Sequence, residues 1–190
     1  MAASLKRFGP WVLAIALLVG AWFVQLNTPD EFSYEQPFVK TVSMGELGTG
    51  RNIAVTVTDV VIADEVMDAD GMSLTGTWVV VNFDAEAVHS ARQANLRYAT
   101  LLADDLEYFA TERLASAIEM PLVPGIPRSG SVAFEVAPDA LKGTVAISFA
   151  LDQITMLDSV IEVRVPVDEV RRVPEITLLP VDWAAGEAAS

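Results

Sequence analysis

The chain of 190 residues contains no cysteine. That absence removes disulfides, and it removes anchoring through a lipidated cysteine. An exported domain built from this sequence must be held together by packing alone. Histidine is nearly absent as well, His89 being the only one. A Ser-His-Asp relay would have to use it, and the adjacent Ser90 is a poor partner, because chain neighbours rarely point at one reaction centre. Without cysteine, carboxylates would have to complete a zinc site around a single histidine, which is an unusual ligand set. No glycine-rich phosphate loop of the required spacing occurs, and Lys6-Arg7 is not the arginine pair of a twin-arginine signal. Positive charge is scarce too: 12 basic residues face 26 acidic ones, for a net charge of −14. That balance argues against a nucleic-acid or anionic-lipid partner and describes a solvated acidic surface.

What the sequence does have is one long apolar run, Phe8 to Leu26, directly after Lys6 and Arg7 and free of charge. At about 1.5 Å rise per residue, roughly nineteen helical residues just span a bilayer core. The cations before the run and a first acid only at Asp30 predict an N-inside orientation. A secretory signal cleaved after Val19-Gly20-Ala21 is the competing reading. Trp22, Phe23, Val24 and Leu26 continue the run past that point and favour a retained anchor, with Trp22 suited to the interface. The expected organisation is a cytoplasmic tail over 1–7, an anchor over 8–26, a stalk over 27–50, a β-sandwich over 51–168 and an edge strand or extended tail over 169–190.

Beyond the stalk the texture becomes that of strands. Asn52 to Ile62 alternates small or polar residues with β-branched ones, as a half-buried strand does. In Thr75 to Ala85, Trp78, Val80 and Asn82 fall on one face and Val79, Val81 and Phe83 on the other, which predicts a central strand. Asp70-Gly71 is the strongest turn signal between these two strands. Leu96–Leu102 and Glu107–Ala110 flank Asp104-Asp105 as a hairpin, and Ser116–Met120 is compatible with a helical turn. Pro121 to Gly130 reads as a crossing loop. Ser131–Val136, Thr144–Leu151 and Val160–Val167 are further strands, while Pro174 and Pro180 restrict 170–183 to an edge strand or tail. Seven or so short strands with turns between them indicate an all-β antiparallel sandwich.

The order of a Trp78-Val79-Val80-Val81-Asn82 strand, the hairpin around Asp104-Asp105, Pro124-Gly125 and Phe134 to Asp139 resembles a family of secreted bacterial immunoglobulin-like domains. That family is classed as a domain of unknown function and linked by name to telomeric-repeat-binding-factor-like proteins. The resemblance covers roughly Arg51 to Val167. It implies an immunoglobulin-like sandwich outside the cell membrane of a Gram-positive bacterium, and it implies no ligand. The family commonly has Asp-Gly in the hairpin turn, where this chain has Asp104-Asp105-Leu106.

Candidate sites are few. Aligning an EF-hand loop on Gly71 puts Val66 at the first acidic position and Thr77 at the glutamate, so that motif fails. Asp64, Asp68 and Asp70 are left as weak calcium candidates within an acidic turn. Asp104 and Asp105 read as hairpin formers rather than a hydrolytic pair, and Trp78 reads as core rather than a sugar platform. No cofactor is expected. The expected function is a single-pass, membrane-anchored binding or accessory module for a cell-envelope partner. Its candidate surfaces are Pro124, Ile126 and Arg128 in the loop and Ile176, Leu178 and Trp183 near the C-terminus. The alternatives are a cation-dependent envelope hydrolase using the acidic loop, or a structural subunit pairing through its transmembrane helix.

Overall fold

The computed structural model describes residues 5–27 and 36–183. Most of the expected tail over 1–7, residues 28–35 of the expected stalk and residues 184–190 lie wholly or partly outside these. The chain divides into two compact units, Met1–Gln36 and Pro37–Ser190.

In the first unit, α1 runs over Leu5–Asn27, 23 residues. Its side chains are described over 11–25, all of them exposed. Among the described residues, no helix is long and apolar enough to cross a membrane. The helix expected over Phe8–Leu26 is present; the spanning role expected of it is not part of that finding.

The second unit is built from strands: β1 Phe38–Val42, β2 Gly48–Thr49, β3 Ile53–Met67, β4 Ser73–Ala87, β5 Tyr98–Ala103, β6 Leu106–Phe109, β7 Arg128–Glu135, β8 Thr144–Ala150, β9 Ser159–Pro166, β10 Arg171–Thr177 and β11 Asp182–Trp183. One sheet has the order β1-β9-β8-β5-β6 and the other β10-β3-β4-β7-β11, with β2 also on β3. The inward residues of both sheets form one core. Val55, Val57, Val79, Val81 and Phe83 come from the second sheet, and Leu101, Ile147, Phe149, Ile161 and Val163 from the first. Phe83 and Phe149 meet across the layers with ring centroids 4.8 Å apart. The protein is therefore a β-sandwich, as expected.

It is not antiparallel throughout. β1 runs parallel to β9, and β10 runs parallel to β3. Each is joined to its partner through a long stretch of chain, which a parallel pair requires. β1 and β2 also place part of the stretch read as a stalk within the sheets. Its prolines and glycines hide two short edge strands, too brief to show a period.

The central strand β4 lies between β3 and β7 as its two-sided pattern demands, and its outer face carries a second, smaller core. Trp78 and Val80 pack there with Val66, Ala133, Leu114 and Leu178. The long β3 changes phase to serve both faces: register shifts between Val57 and Asp59 and between Ala63 and Glu65 mark two irregularities in its pairing with β4. Before the first shift Val55 and Val57 point inward, and after it Val60 and Ile62 do. A bulge moves the side-chain alternation by one residue.

Between β6 and β7, Ser116–Met120 does not form a helical turn. Met120 N–H closes a turn on Ala117 C=O at 3.2 Å, with Glu119 at φ 65°. β7 begins at Arg128, so the crossing loop ends earlier than Gly130.

Candidate functional site

The acidic connection between β3 and β4 is a hairpin tip, with Gly71 at φ 86°. The Asp68 carboxylate, only 5% exposed, organises it. Its Oδ1 accepts the N–H groups of Asp70 at 3.0 Å and Met72 at 2.9 Å, while Oδ2 accepts that of Ala115 at 3.1 Å. These backbone donors, Ala115 first, hold the carboxyl below the usual carboxylate range against the opposing effect of burial. Asp64 and Asp70 are exposed on the hairpin. Among the described residues no group of three acidic or histidine side chains is placed to hold a metal. Asp68 is a clamp on backbone amides, with both oxygens already taken. An aspartate bonding backbone two residues on is legible in sequence as an Asx turn; the bond to Ala115 is not, since it depends on tertiary packing.

His89 and Ser90 are also accounted for by loop structure. Asn52 Oδ1 accepts both of their N–H groups at 2.9 Å, and Asn52 Nδ2 donates to Ser90 C=O. Ser90 Oγ accepts the N–H of Arg92 at 3.1 Å, a local turn contact. Asp104 and Asp105 close the β5–β6 hairpin. Trp78 is fully buried, so it offers no face to a sugar. A shallow groove of about 700 Å³ lies among Leu141, Lys142, Val167, Asp168 and Arg172; charges of both signs line it.

The six partner-surface candidates separate into two groups. Leu178 is 2% exposed and belongs to the second core, with Ile176 half-buried against it. They are structural, and their reading as surface is corrected. The chain after β10 crosses the outer face of its sheet as a strap. Leu178 N–H donates to Met67 C=O at 2.8 Å, and Leu179 N–H to Ser131 Oγ at 2.9 Å. Ser131 Oγ donates in turn to Asn82 Oδ1 at 2.6 Å. Nothing in the sequence singles out Ser131, because its partners lie far away along the chain.

The other group comes together. β11 pairs with the start of β7, Trp183 opposite Arg128. The Arg128 guanidinium lies 5.1 Å from the centroid of the Trp183 ring, and its Nη1 donates to Pro121 C=O at 3.2 Å. Trp183 is 57% exposed, and Ile126 is exposed two positions before Arg128. Pro124 is half-buried and bridged to Ala87. Two segments more than fifty residues apart thus bring exposed Trp183 onto half-buried Arg128, with exposed Ile126 two positions before it in the chain.

No family model matches the sequence. No curated protein matches it either. Among solved structures the chain is similar to an uncharacterized β-sandwich protein from Clostridium difficile 630, with 11% sequence identity and a TM-score of 0.45 over 71% of this chain and 99% of that one.

Proposed function

We propose that this chain is a single-pass, membrane-anchored β-sandwich displayed outside the cytoplasmic membrane, where it acts as a binding or accessory module for a protein partner in the cell envelope. The observation that carries the binding role is the patch of Ile126, Arg128 and Trp183. Tryptophan and arginine are the residue types that most often dominate protein interfaces. Here the arginine is held in place by its stacking on Trp183 and its bond to Pro121, so little side-chain freedom is lost on docking.

The anchor role is supported by the uncharged sequence from Phe8 to Leu26 after Lys6-Arg7. N-inside orientation follows from the positive-inside rule. The resemblance to secreted immunoglobulin-like domains of Gram-positive bacteria belongs to the same reading. That Asp68, one of the three weak calcium candidates, accepts three backbone N–H groups favours the binding module over the cation-dependent hydrolase.

The test is photocrosslinking in intact cells of the native organism, with a photoreactive residue at Ile126 or at Trp183. A discrete adduct with the same envelope protein from both positions is the expected result. An exported protein that yields no adduct from either position overturns the binding role of this patch.

A further inference from the structure

We infer that the outer face of the sheet β1-β9-β8-β5-β6 is a docking surface for a second copy of this chain, related to the first by a two-fold axis. The axis lies in the interface, parallel to the strands and midway between β5 and β8. The inference needs neither the anchor nor the patch at Trp183, which belongs to the other sheet.

One row of residues across this sheet carries the argument. Leu102 of β5 pairs with Glu107 of β6 on one side and with Ala146 of β8 on the other, and Ala146 pairs in turn with Arg164 of β9. Their chain neighbours Leu101, Ala103, Val145, Ile147, Val163 and Val165 point into the core. By alternation the row itself points outward. From β6 to β9 it consists of an acid, a large apolar side chain, a small one and a base.

The two apolar members form a knob beside a hole. Leu102 is 46% exposed and stands up from the sheet. Over Ala146 the surface falls away into a shallow depression of about 350 Å³, bounded by Leu102, Lys142, Thr144 and Arg164. Neighbouring strands lie about 4.8 Å apart, so a rotation midway between them lays β5 of one copy over β8 of the other. Each Leu102 then enters the depression over Ala146 of the second copy. Sheets packed face to face with aligned strands interdigitate in this way, about 10 Å apart. The same overlay covers Phe109, which is exposed on β6, against β9 of the second copy.

Charge decides which partner fits. The hairpin side of the face is acidic: Asp104, Asp105 and Glu107 are exposed, and none makes an ion pair among the described residues. The opposite side carries Lys142, exposed and likewise without an ion pair there, and Arg164, whose side chain is 64% exposed. Glu162 also lies on that side. Its Oε1 accepts hydrogen bonds from Arg164 Nε at 2.8 Å and Thr41 Oγ1 at 3.1 Å, and its side chain is only 16% exposed. A wholly acidic partner would be repelled by the hairpin, and a wholly basic one by Lys142 and Arg164. The partner that fits offers a flat surface with the two signs in the reverse order.

A second copy offers that surface. The rotation that seats Leu102 lays β6 over β9, which brings Glu107 onto Arg164 of the second copy and the Asp104-Asp105 turn toward Lys142 of the second copy. In a self-complementary dimer each of these contacts is made twice. Within one chain Glu107 and Arg164 are separated by three strand spacings, roughly 14 Å, and cannot pair. At physiological ionic strength the Debye length is about 8 Å, so facing pairs outweigh the net negative charge of the whole chain.

The test uses charge reversal in the full chain, purified in a mild detergent at physiological ionic strength. Self-association is followed by sedimentation velocity over a concentration series for the parent protein, for Glu107→Arg and for Arg164→Glu. The parent is expected to dimerise. Each reversal sets like charges against each other in both symmetric contacts, and is expected to weaken association about tenfold or more. An equimolar mixture of the two variants is expected to recover to within severalfold of the parent, because every Arg then faces a Glu. A chain carrying both reversals should dimerise by itself for the same reason. A parent protein that stays monomeric throughout overturns the inference. So does association indifferent to both reversals, which is how pairing through α1 or through the Trp183 patch would behave. Reversals that weaken association without recovery in the mixture overturn it as well, since Glu107 and Arg164 then do not face each other between copies.

Discussion

Asp68 Oδ2 accepts the backbone N–H of Ala115 at 3.1 Å, across 47 positions of sequence. This contact joins the tip of the β3–β4 hairpin to the long loop between β6 and β7, next to the small outer core that Leu114 helps to close. The carboxyl is held below its usual range, so between that range and its lowered folded value the unfolded chain binds a proton that the folded chain does not. Its stabilising contribution is complete above the ordinary value of about 3.9 and is lost as pH falls through the lowered one. Asp68→Asn should therefore lower the midpoint of thermal unfolding at neutral pH, and the gap to the parent protein should close as the medium is acidified. Unfolding scans of both proteins across the acid range check this. A gap that stays constant would mean the charge contributes nothing.

Leu178 and Trp183 stand five positions apart and should behave oppositely. Leu178→Ala removes a side chain buried among Trp78, Val80 and Ala133, and is expected to cost about 2–4 kcal/mol. Trp183→Ala removes an exposed ring stacked on Arg128, a contact worth about 0.5–1 kcal/mol at such a site. Denaturant titration of the two variants separates them. In cells, Trp183→Ala should lose partner crosslinking from Ile126 while its exported amount is unchanged, and Leu178→Ala should lower the exported amount itself.

That pair also shows what the sequence can and cannot disclose. The two-sided pattern of Trp78 to Phe83 announces a central strand because alternation is local, and Asp70-Gly71 announces its turn for the same reason. Leu178 lies between two prolines in a segment with no period, and its burial depends on a strap crossing a sheet whose strands come from four other parts of the chain. The two parallel pairs are equally silent, since β1 and β10 find partners more than 100 positions away. The register shifts in β3 are masked by a run of β-branched residues that would suit either face. Of the candidate site, the residue types were readable in each segment, but the pairing of Arg128 with Trp183 was not.

The β5–β6 hairpin holds Asp104 at φ 49° and Asp105 at φ 62°, between paired Ala103 and Leu106. Two consecutive left-handed residues in a two-residue loop make a type I′ turn, which Asn-Gly and Asp-Gly form with least strain. Asp105 has a Cβ where glycine would be relaxed, at a cost of roughly 1 kcal/mol. Asp105→Gly should accordingly stabilise the protein by about 0.5–1 kcal/mol, the gain from relief of strain being partly offset by the freer unfolded chain. Equilibrium unfolding in urea decides it. A destabilised variant would show that Asp105 makes a contribution greater than the strain it bears.

Gly130, in β7, lies against the loop that covers the edge of that strand beyond its short pairing with β11. A Cβ placed on it would come 2.7 Å from Ala117 Cβ, while Ala117 N–H donates to Ser131 C=O at 2.9 Å. Both the strand and the loop backbone are fixed at this point, so neither can retreat without breaking that hydrogen bond. Gly130→Ala is expected to destabilise by about 1–3 kcal/mol through overpacking. Ala117→Gly, made alone, leaves a small void and should cost about 1 kcal/mol or less. In the double variant the methyl group has merely changed sides of the contact, so the two costs should not add; a coupling of at least about 1 kcal/mol in a double-mutant cycle is expected. Strict additivity would mean that Gly130→Ala acts on the strand itself rather than on its fit to the loop.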